Sequence, residues 1–182
     1  MVRLFVAIDL SDEVKRSIVK FRDAVSGSGA DVKPVEYENL HITLRFLGEV
    51  PQQLVNEVKA SLSRLSFSRF KIHVKGVGAF PSATRPRVIW VGVEEGSEEL
   101  NRLHEVVEGL VGKYGVDEEE RFTPHITVAR VRGRLGRLSD VLREWEGFDF
   151  GWQEVANVKL KKSTLTPKGP IYEDLLVVNL NP

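Results

Sequence analysis

Two short motifs place a histidine and a threonine at the same spacing in different parts of the chain. They are His41-Ile42-Thr43-Leu44 and His125-Ile126-Thr127-Val128. Because alternate residues of a β-strand face the same side, each motif on a strand would present one imidazole and one hydroxyl together, about 6.6 Å apart along the strand. The apolar residues of each motif would then face the opposite side, towards a core.

Two imidazoles and two hydroxyls facing one cleft suit acid–base chemistry on a phosphodiester. Imidazole has an ordinary pKa of about 6.5, so one ring can accept a proton from an attacking hydroxyl or water while the other donates one to the leaving oxygen. The threonine hydroxyls can donate hydrogen bonds to the non-bridging phosphate oxygens. We therefore predict a reaction that needs no metal ion and no cofactor, with four site residues: His41, Thr43, His125 and Thr127.

The strands that carry these motifs recur in similar surroundings. Strand, helix, histidine-bearing strand, helix and strand occur twice, with an offset of 84 residues between the two histidines. Strand patterns cover residues 3–9, 35–37, 41–48, 70–77, 87–93, 125–131, 155–165 and 171–180, and helical patterns follow Ser11, Pro51, Glu98 and Leu135. We expect one α+β domain over residues 1–182, with two pseudo-symmetric lobes, two largely antiparallel sheets, helices outside and a central active-site cleft.

Basic and aromatic residues near the motifs are further candidates. In a strictly alternating strand, Arg45 faces the same side as Thr43, which makes Arg45 a candidate phosphate ligand, whereas Arg130 faces away from His125. If the phosphodiester belongs to a nucleic acid, the basic residues of a closing strand either contact its backbone or stay solvated, namely Lys159, Lys161 and Lys162. Three aromatic residues would then either stack on a terminal base of that nucleic acid or, the favoured interpretation, pack in the core and loops: Phe5, Phe80 and Tyr172.

Composition excludes several other kinds of protein. The chain has 26 Lys+Arg and 26 Asp+Glu, so its formal net charge is zero. A broad basic surface for long nucleic acids is not expected, although a local basic groove is compatible with this balance. The chain has no cysteine, which excludes disulfides, thiolate nucleophiles and cysteine–metal sites. No apolar run is long enough to span a bilayer, so we expect a cytoplasmic protein with no membrane partner.

Other catalytic sites find little support in the sequence. Zinc catalysis usually takes three protein ligands, and neither motif has an adjacent Asp, Glu or Cys. A nucleophile elbow, a P-loop and a dinucleotide-binding glycine motif are all missing. The remaining histidines, His73 and His104, are expected to be structural or exposed to solvent.

The sequence resembles the 2H phosphoesterase superfamily and, within it, the RNA 2′,3′-cyclic phosphodiesterase family, also called 2′-5′ RNA ligases. The resemblance covers essentially the whole chain. It rests on four segments in the family's order: residues 3–10 (RLFVAIDL), 39–48 (NLHITLRFLG), 87–92 (RVIWVG) and 124–130 (PHITVAR). No motif residue is missing from this set.

The resemblance implies a bilobal hydrolase that opens RNA 2′,3′-cyclic phosphate termini to 2′-phosphomonoesters. It implies that His41 donates a proton to the 3′ leaving oxygen and that His125 is the base that activates water. Thr43 and Thr127 would hold the phosphate oxygens, and Arg130, which belongs to a matching segment, is a weaker candidate for the same task.

The resemblance also implies a partner, namely RNA that ends in a cyclic phosphate, such as tRNA fragments. Because one chain holds both motifs, we expect a monomer. Two alternatives stay open at this point: 2′-5′ ligation as the main activity, and a module that binds RNA ends without turnover. Comparison of joined with hydrolysed product would separate these possibilities.

Overall fold

Nine strands and four α-helices make up the fold in the computed structural model, which describes residues 1–182. The strands are β1 (Val2–Asp9), β2 (Val32–Pro34), β3 (His41–Val50), β4 (Phe70–Phe80), β5 (Val88–Val93), β6 (His125–Val131), β7 (Asp149–Val155), β8 (Asn157–Thr166) and β9 (Gly169–Asn179). The helices are α1 (Asp12–Ser26), α2 (Val55–Leu62), α3 (Ser97–Val111) and α4 (Leu138–Glu144). None of these helices is long and apolar enough to cross a lipid bilayer.

The strands form one curled antiparallel sheet that divides into two halves. Its order is β7-β4-β5-β6-β3-β1-β8-β9, and β2 pairs with β6. The central strands β3 and β6 are paired only through Ile42 and Ile126. The α+β class with largely antiparallel halves is thus confirmed, and the two halves are continuous through this single pair. Each histidine motif lies on one of the two strands that meet there.

The half of the sheet that contains His41 combines strands from both ends of the chain, namely β1, β3, β8 and β9. Strand β4 pairs with β5 and β7, whereas β8 pairs with β1 and β9. The C-terminal hairpin β8–β9 therefore completes the half that contains His41. The other half consists of the consecutive strands β4 to β7, to which β2 is added by pairing with β6.

The helices cover one face of the sheet and bury its apolar residues. Helix α1 begins at an N-cap, where the Ser11 side chain accepts a hydrogen bond from the Val14 amide at 3.2 Å, as expected for serine at this position. Its buried residues recur at helical spacing, and the helix packs against β7. Helix α3 packs against β3. One cluster of 38 buried apolar residues joins both halves of the sheet, which leaves the polar strand faces for the cleft.

Two elements differ from the sequence prediction. The short strand expected at residues 35–37 lies at Val32–Pro34, where it pairs with β6, and Tyr37–Asn39 forms a 3-10 turn instead. Strand β7 was not expected, because its exposed and buried residues alternate poorly and Gly151, at φ +112, interrupts the pattern. Its register comes from pairing with β4, which a local sequence pattern does not reveal.

Candidate active site

His41 is the first residue of β3, and its ring is held from one side. Nδ1 lies 2.6 Å from the carbonyl oxygen of Asn39. Since a carbonyl only accepts hydrogen bonds, Nδ1 carries a hydrogen and Nε2 is the nitrogen that gains or releases a proton. The Asn39 side chain donates to the Pro170 carbonyl at 3.1 Å, which ties this turn to the β8–β9 hairpin. Nε2 of His41 lies 2.8 Å from the hydroxyl of Thr43.

His125 is the first residue of β6 and is held in the same way. Its Nδ1 donates to the Thr123 carbonyl at 2.8 Å, so Nε2 is again the nitrogen available for proton transfer. The Phe80 ring packs against the imidazole with a centroid distance of 5.0 Å and perpendicular ring planes. Both histidines are therefore fixed in the tautomer and orientation that acid–base chemistry requires.

The two motifs line one cavity of about 880 Å³ between the halves of the sheet. His41, Thr43, His125 and Thr127 all contribute to its wall. The structure therefore brings together the four residues that the two motifs singled out. Two candidates for base stacking, Phe5 and Tyr172, also line it and pack on the His41 ring at centroid distances of 5.2 and 5.4 Å.

A β-bulge in each motif strand reverses the expected positions of the two arginines. In β3, Val6 pairs with Arg45 and Ala7 pairs with Thr43, so one additional residue lies between the paired positions. A bulge of this kind shifts the following side chains to the other face. Arg45 is consequently buried, and its proposed contact with phosphate is wrong. Phe46, the next residue, lines the cavity instead.

The matching bulge in β6 has the opposite consequence for Arg130. Ile89 pairs with Ala129 and Trp90 pairs with Thr127, which again leaves one additional residue between the pairs. Ala129 is therefore buried, and Arg130 lines the cavity on the same side as His125 and Thr127. The sequence prediction that strict alternation turns Arg130 away is wrong. A repeated bulge at equivalent motif positions explains both differences.

Arg45 forms an internal ion cluster rather than a substrate contact. It is 2% exposed, and its guanidinium pairs with Glu108 and, at 3.7 Å, with Glu118. It also donates to the Phe46 carbonyl at 2.7 Å. His104 contacts Glu118 at 2.9 Å, so the three side chains His104, Glu108 and Glu118 form the one group with metal-ligand geometry. Because Arg45 already supplies a positive charge there, ion pairing accounts for these carboxylates without a metal.

The other charged residues singled out by the sequence are also engaged. The ammonium groups of Lys159 and Lys161 each contact both Asp9 and Asp174, at distances of 2.7 to 3.2 Å. Neither contact with RNA nor free solvation, the two interpretations drawn from sequence, describes these two lysines. His73 is buried between Glu95 and Asp149, 2.7 and 3.0 Å away, as expected for a structural histidine.

Both active-site imidazoles have lowered pKa values. Burial lowers the pKa of His41 to about 4; the Asn39 hydrogen bond opposes this shift, and the Lys161 charge adds to it. Burial also lowers the pKa of His125, with a further contribution from the Arg130 charge. Both rings are therefore mainly neutral at pH 7 in the free protein. A phosphodiester anion between them would favour the imidazolium form, because it places a negative charge beside each ring.

Substitution of Arg45 should lower stability, whereas substitution of Arg130 should lower activity. Arg45→Met removes buried ion pairs and should lower the free energy of unfolding by about 2–4 kcal/mol in urea denaturation. Arg130→Met should leave that free energy within about 0.5 kcal/mol of the parent, because Arg130 is exposed. It should lower kcat/KM for a phosphodiester substrate about tenfold by removing a charged phosphate contact. If Arg45→Met lowered kcat/KM but left the free energy of unfolding unchanged, the assignment of Arg45 to the buried face of β3 would be wrong.

Comparison with known proteins agrees with the geometry of the site. A family model described as "LigT like Phosphoesterase" matches the chain twice in succession, over residues 8–90 and 91–172. The RNA 2′,3′-cyclic phosphodiesterase of Archaeoglobus fulgidus is 44% identical over 176 residues, covering 97% of this chain and 99% of the relative. A protein of the same name from Thermotoga maritima is 38% identical, covering 96% and 93%.

Solved structures show the same fold. The crystal structure of a Thermus thermophilus protein superposes with a TM-score of 0.79 at 32% identity, covering 97% of both chains. Escherichia coli LigT complexed with 3′-AMP gives a TM-score of 0.80 at 25% identity, covering 100% of this chain and 99% of the other. Since the family model accounts for both motif-bearing segments and the relatives are matched over nearly their full length, the chain belongs to the LigT-like phosphoesterase family.

Proposed function

We propose that this enzyme hydrolyses RNA 2′,3′-cyclic phosphate termini to 2′-phosphomonoesters by acid–base catalysis with two histidines. One observation carries the proposal: both imidazoles use Nδ1 to bond a backbone carbonyl and line one cavity together with both motif threonines. In that arrangement the Nε2 atom of one histidine can accept a proton while the Nε2 atom of the other donates one. The relatives named RNA 2′,3′-cyclic phosphodiesterase give the chemical class of the substrate.

The proposed reaction moves one proton at each histidine. Neutral His125 accepts a proton from water through Nε2 while the water oxygen forms a bond to phosphorus. The bond from phosphorus to the 3′ oxygen breaks, and protonated His41 donates its Nε2 proton to that oxygen. The 2′ oxygen keeps the phosphate. At the end of the step His125 is protonated and His41 is neutral, so solvent exchange restores the starting state.

The threonines and Arg130 are proposed to hold the phosphate. The Thr43 hydroxyl contacts His41 Nε2 in the free protein and would turn to a non-bridging oxygen once substrate is bound. Thr127 lies opposite on β6 and has the same role. Arg130 supplies a positive charge at the cavity wall. These donors stabilise the charge on the phosphoryl oxygens in the transition state.

The wall of the cavity is suited to an RNA end despite the zero net charge of the chain. Four cationic side chains and one carboxylate line it: Arg3, Lys33, Arg130, Lys168 and Glu36. A local excess of positive charge attracts the phosphates next to the terminus. Because one chain supplies both histidines, action as a monomer stays our prediction. Cytoplasmic location and tRNA fragments as substrates stay predictions as well.

Product analysis tests the proposed function. An oligonucleotide with a 2′,3′-cyclic phosphate is incubated with the enzyme in the presence of a chelator, and the product is compared with authentic 2′- and 3′-phosphomonoesters by phosphorus NMR. We expect the 2′-phosphomonoester, formed at a rate that the chelator does not lower. Formation of the 3′-phosphomonoester would overturn the assigned bond cleavage, and binding without any product would favour the binding module instead.

The pKa values of the histidines predict the pH dependence of hydrolysis. Productive free enzyme needs one protonated and one neutral imidazole, and both pKa values lie below 6.5. The profile of kcat/KM, which reports the free enzyme, should therefore have its optimum below pH 6.5 and fall as the pH rises further. The profile of kcat should lie at higher pH, because bound phosphate stabilises the imidazolium form. A kcat/KM value that remains constant up to pH 8 would contradict this account.

A further inference from the structure

The two carbonyl groups that hold the active-site imidazoles occupy matching positions in the two halves of the sheet. Asn39 and Thr123 each lie two residues before a motif histidine and, like the histidines, are 84 residues apart. Their carbonyl oxygens lie 2.6 Å from Nδ1 of His41 and 2.8 Å from Nδ1 of His125. Neither carbonyl belongs to a strand, because β3 begins at His41 and β6 begins at His125. Pairing within the sheet therefore does not fix the direction of either carbonyl.

The residue between the carbonyl and the histidine differs between the two halves. In the second motif it is Pro124, whose ring fixes its own φ at about −65° and restricts Thr123 to extended conformations. In the first motif it is Leu40, which imposes neither restriction. The Thr123 carbonyl is thus directed by the covalent structure of its own segment, whereas the Asn39 carbonyl depends on non-covalent contacts.

The Asn39 side chain makes such a contact with a distant part of the chain. Asn39 is 9% exposed, and its amide donates to the Pro170 carbonyl at 3.1 Å. Strand β8 pairs with β1 only as far as Ser163, so residues 164–171, called the hairpin end below, pair only with each other. The Asn39 amide therefore connects the turn before His41 to the hairpin end, across 131 residues of sequence.

The hairpin end also belongs to the wall of the catalytic cavity, to which it contributes Leu165, Thr166, Lys168, Gly169 and Pro170. Tyr172 follows the hairpin end, and its ring packs on the His41 imidazole with the ring planes 86° apart. A change in the hydrogen bond between Asn39 and Pro170 would thus reach His41 in two ways. It would move the carbonyl that accepts from Nδ1, and it would loosen the segment that carries the Tyr172 ring.

We propose that Asn39 is a positioning residue for the proton donor, because its side-chain amide fixes the carbonyl that directs Nε2 of His41 at the leaving oxygen. This inference rests on the proposed function, since it uses the role of His41 as the acid. Misplacement of a reacting group by about 1 Å can lower a rate by about 100-fold, so one lost hydrogen bond is expected to lower turnover without direct contact with substrate. Direct contact is the competing explanation, because Asn39 also lines the cavity.

Steady-state hydrolysis of a 2′,3′-cyclic-phosphate oligonucleotide by Asn39 variants tests the proposal. Asn39→Leu keeps a branched side chain of similar size but cannot donate to Pro170, and Asn39→Ala removes the group altogether. Both variants should fold, since each lacks only one hydrogen bond, and urea denaturation checks this. Both should lower kcat by about 10–100-fold and keep KM within about twofold of the parent value.

Double variants show whether Asn39 acts through His41. Addition of Asn39→Leu to His41→Ala should cause no further loss of turnover, because the imidazole that Asn39 positions is already missing. Addition of Asn39→Leu to Arg130→Met should multiply the two losses, since Arg130 acts on the phosphate and not on His41. A general disturbance of the cavity would lower turnover further in both backgrounds.

The matched control is Asn101→Leu. Asn101 lies in α3 outside the cavity, and its amide likewise donates to a backbone carbonyl, that of Ser97, at 2.9 Å. This variant should have the kcat and KM of the parent.

Several results would refute the positioning role of Asn39. The first is a parent value of kcat in both Asn39 variants, and the second is a raised KM with unchanged kcat, which would place Asn39 in direct contact with substrate. The third is a loss that multiplies with that of His41→Ala, and the fourth is a failure of both variants to fold, which would make Asn39 a structural residue. A parent protein that fails to hydrolyse the oligonucleotide would refute the proposed function itself.

Discussion

Replacing either His41 or His125 by alanine is expected to lower the turnover of a 2′,3′-cyclic-phosphate oligonucleotide by about 10²–10⁴-fold. Each ring supplies one proton transfer, and no other imidazole lines the cavity to replace it. Because both transfers belong to one displacement, the double variant should be little slower than the slower single variant, as is usual for groups that act as a unit. Steady-state kinetics on the purified variants measures all three losses.

The control for the histidine variants is His104→Gln. His104 contacts Glu118 and stacks on Phe122 outside the cavity, and glutamine preserves a hydrogen bond to the carboxylate. Its turnover should equal that of the parent. The acid–base account would be wrong if both single alanine variants, folded as judged by urea denaturation, turned over at the parent rate. Losses that multiply in the double variant would show instead that the two rings act in separate steps.

Thr43→Val and Thr127→Val are each expected to lower kcat by about 10²–10³-fold. Valine keeps the volume of threonine but cannot donate a hydrogen bond to a non-bridging phosphate oxygen, and losses of this size are typical when one such donor is removed. Serine keeps the hydroxyl, so Thr43→Ser and Thr127→Ser should retain most of the activity. Comparison of kcat for the valine and serine variants separates the loss of the hydroxyl from a change in packing.

The matched control is Thr164→Val, because Thr164 lies on β8 outside the cavity and is exposed. It should have the kcat of the parent. If the valine variants raised KM but left kcat unchanged, the hydroxyls would bind substrate and transition state equally, which contradicts their proposed role in the transition state. The Thr43→Val variant also loses the hydroxyl that contacts His41 Nε2 in the free protein.

The chemistry of the site could be predicted from sequence because its four residues obey the simplest rule of strand geometry. His41 and Thr43, like His125 and Thr127, lie two residues apart and face the same cavity. The arginines could not be placed in this way. One additional residue in each bulge reverses the face of the residues that directly follow it, and the bulge is set by pairing with β1 or β5, not by local pattern.

Partners distant in sequence also explain what was missed elsewhere. The lysines on β8 looked like surface charges, but Asp9 comes from the other end of the chain and pairs with them. The Trp90 indole packs directly over Gly78 in the neighbouring strand, a contact that the sequence of β5 alone does not reveal. The α+β class and the elements that bear the motifs were predictable, since they follow from local periodicity.

A substrate with a sulfur leaving group tests the separate roles of the two histidines most directly. Sulfur replaces the 3′ bridging oxygen of the cyclic phosphate, and a thiolate leaves without protonation because the pKa of a thiol, about 8.5 for cysteine, lies far below that of an alcohol. On this substrate His41→Ala should recover most of its lost turnover, whereas His125→Ala should stay slow because water still needs a base. Recovery of His125→Ala instead, or of neither variant, would contradict the assignment of His41 as acid and His125 as base.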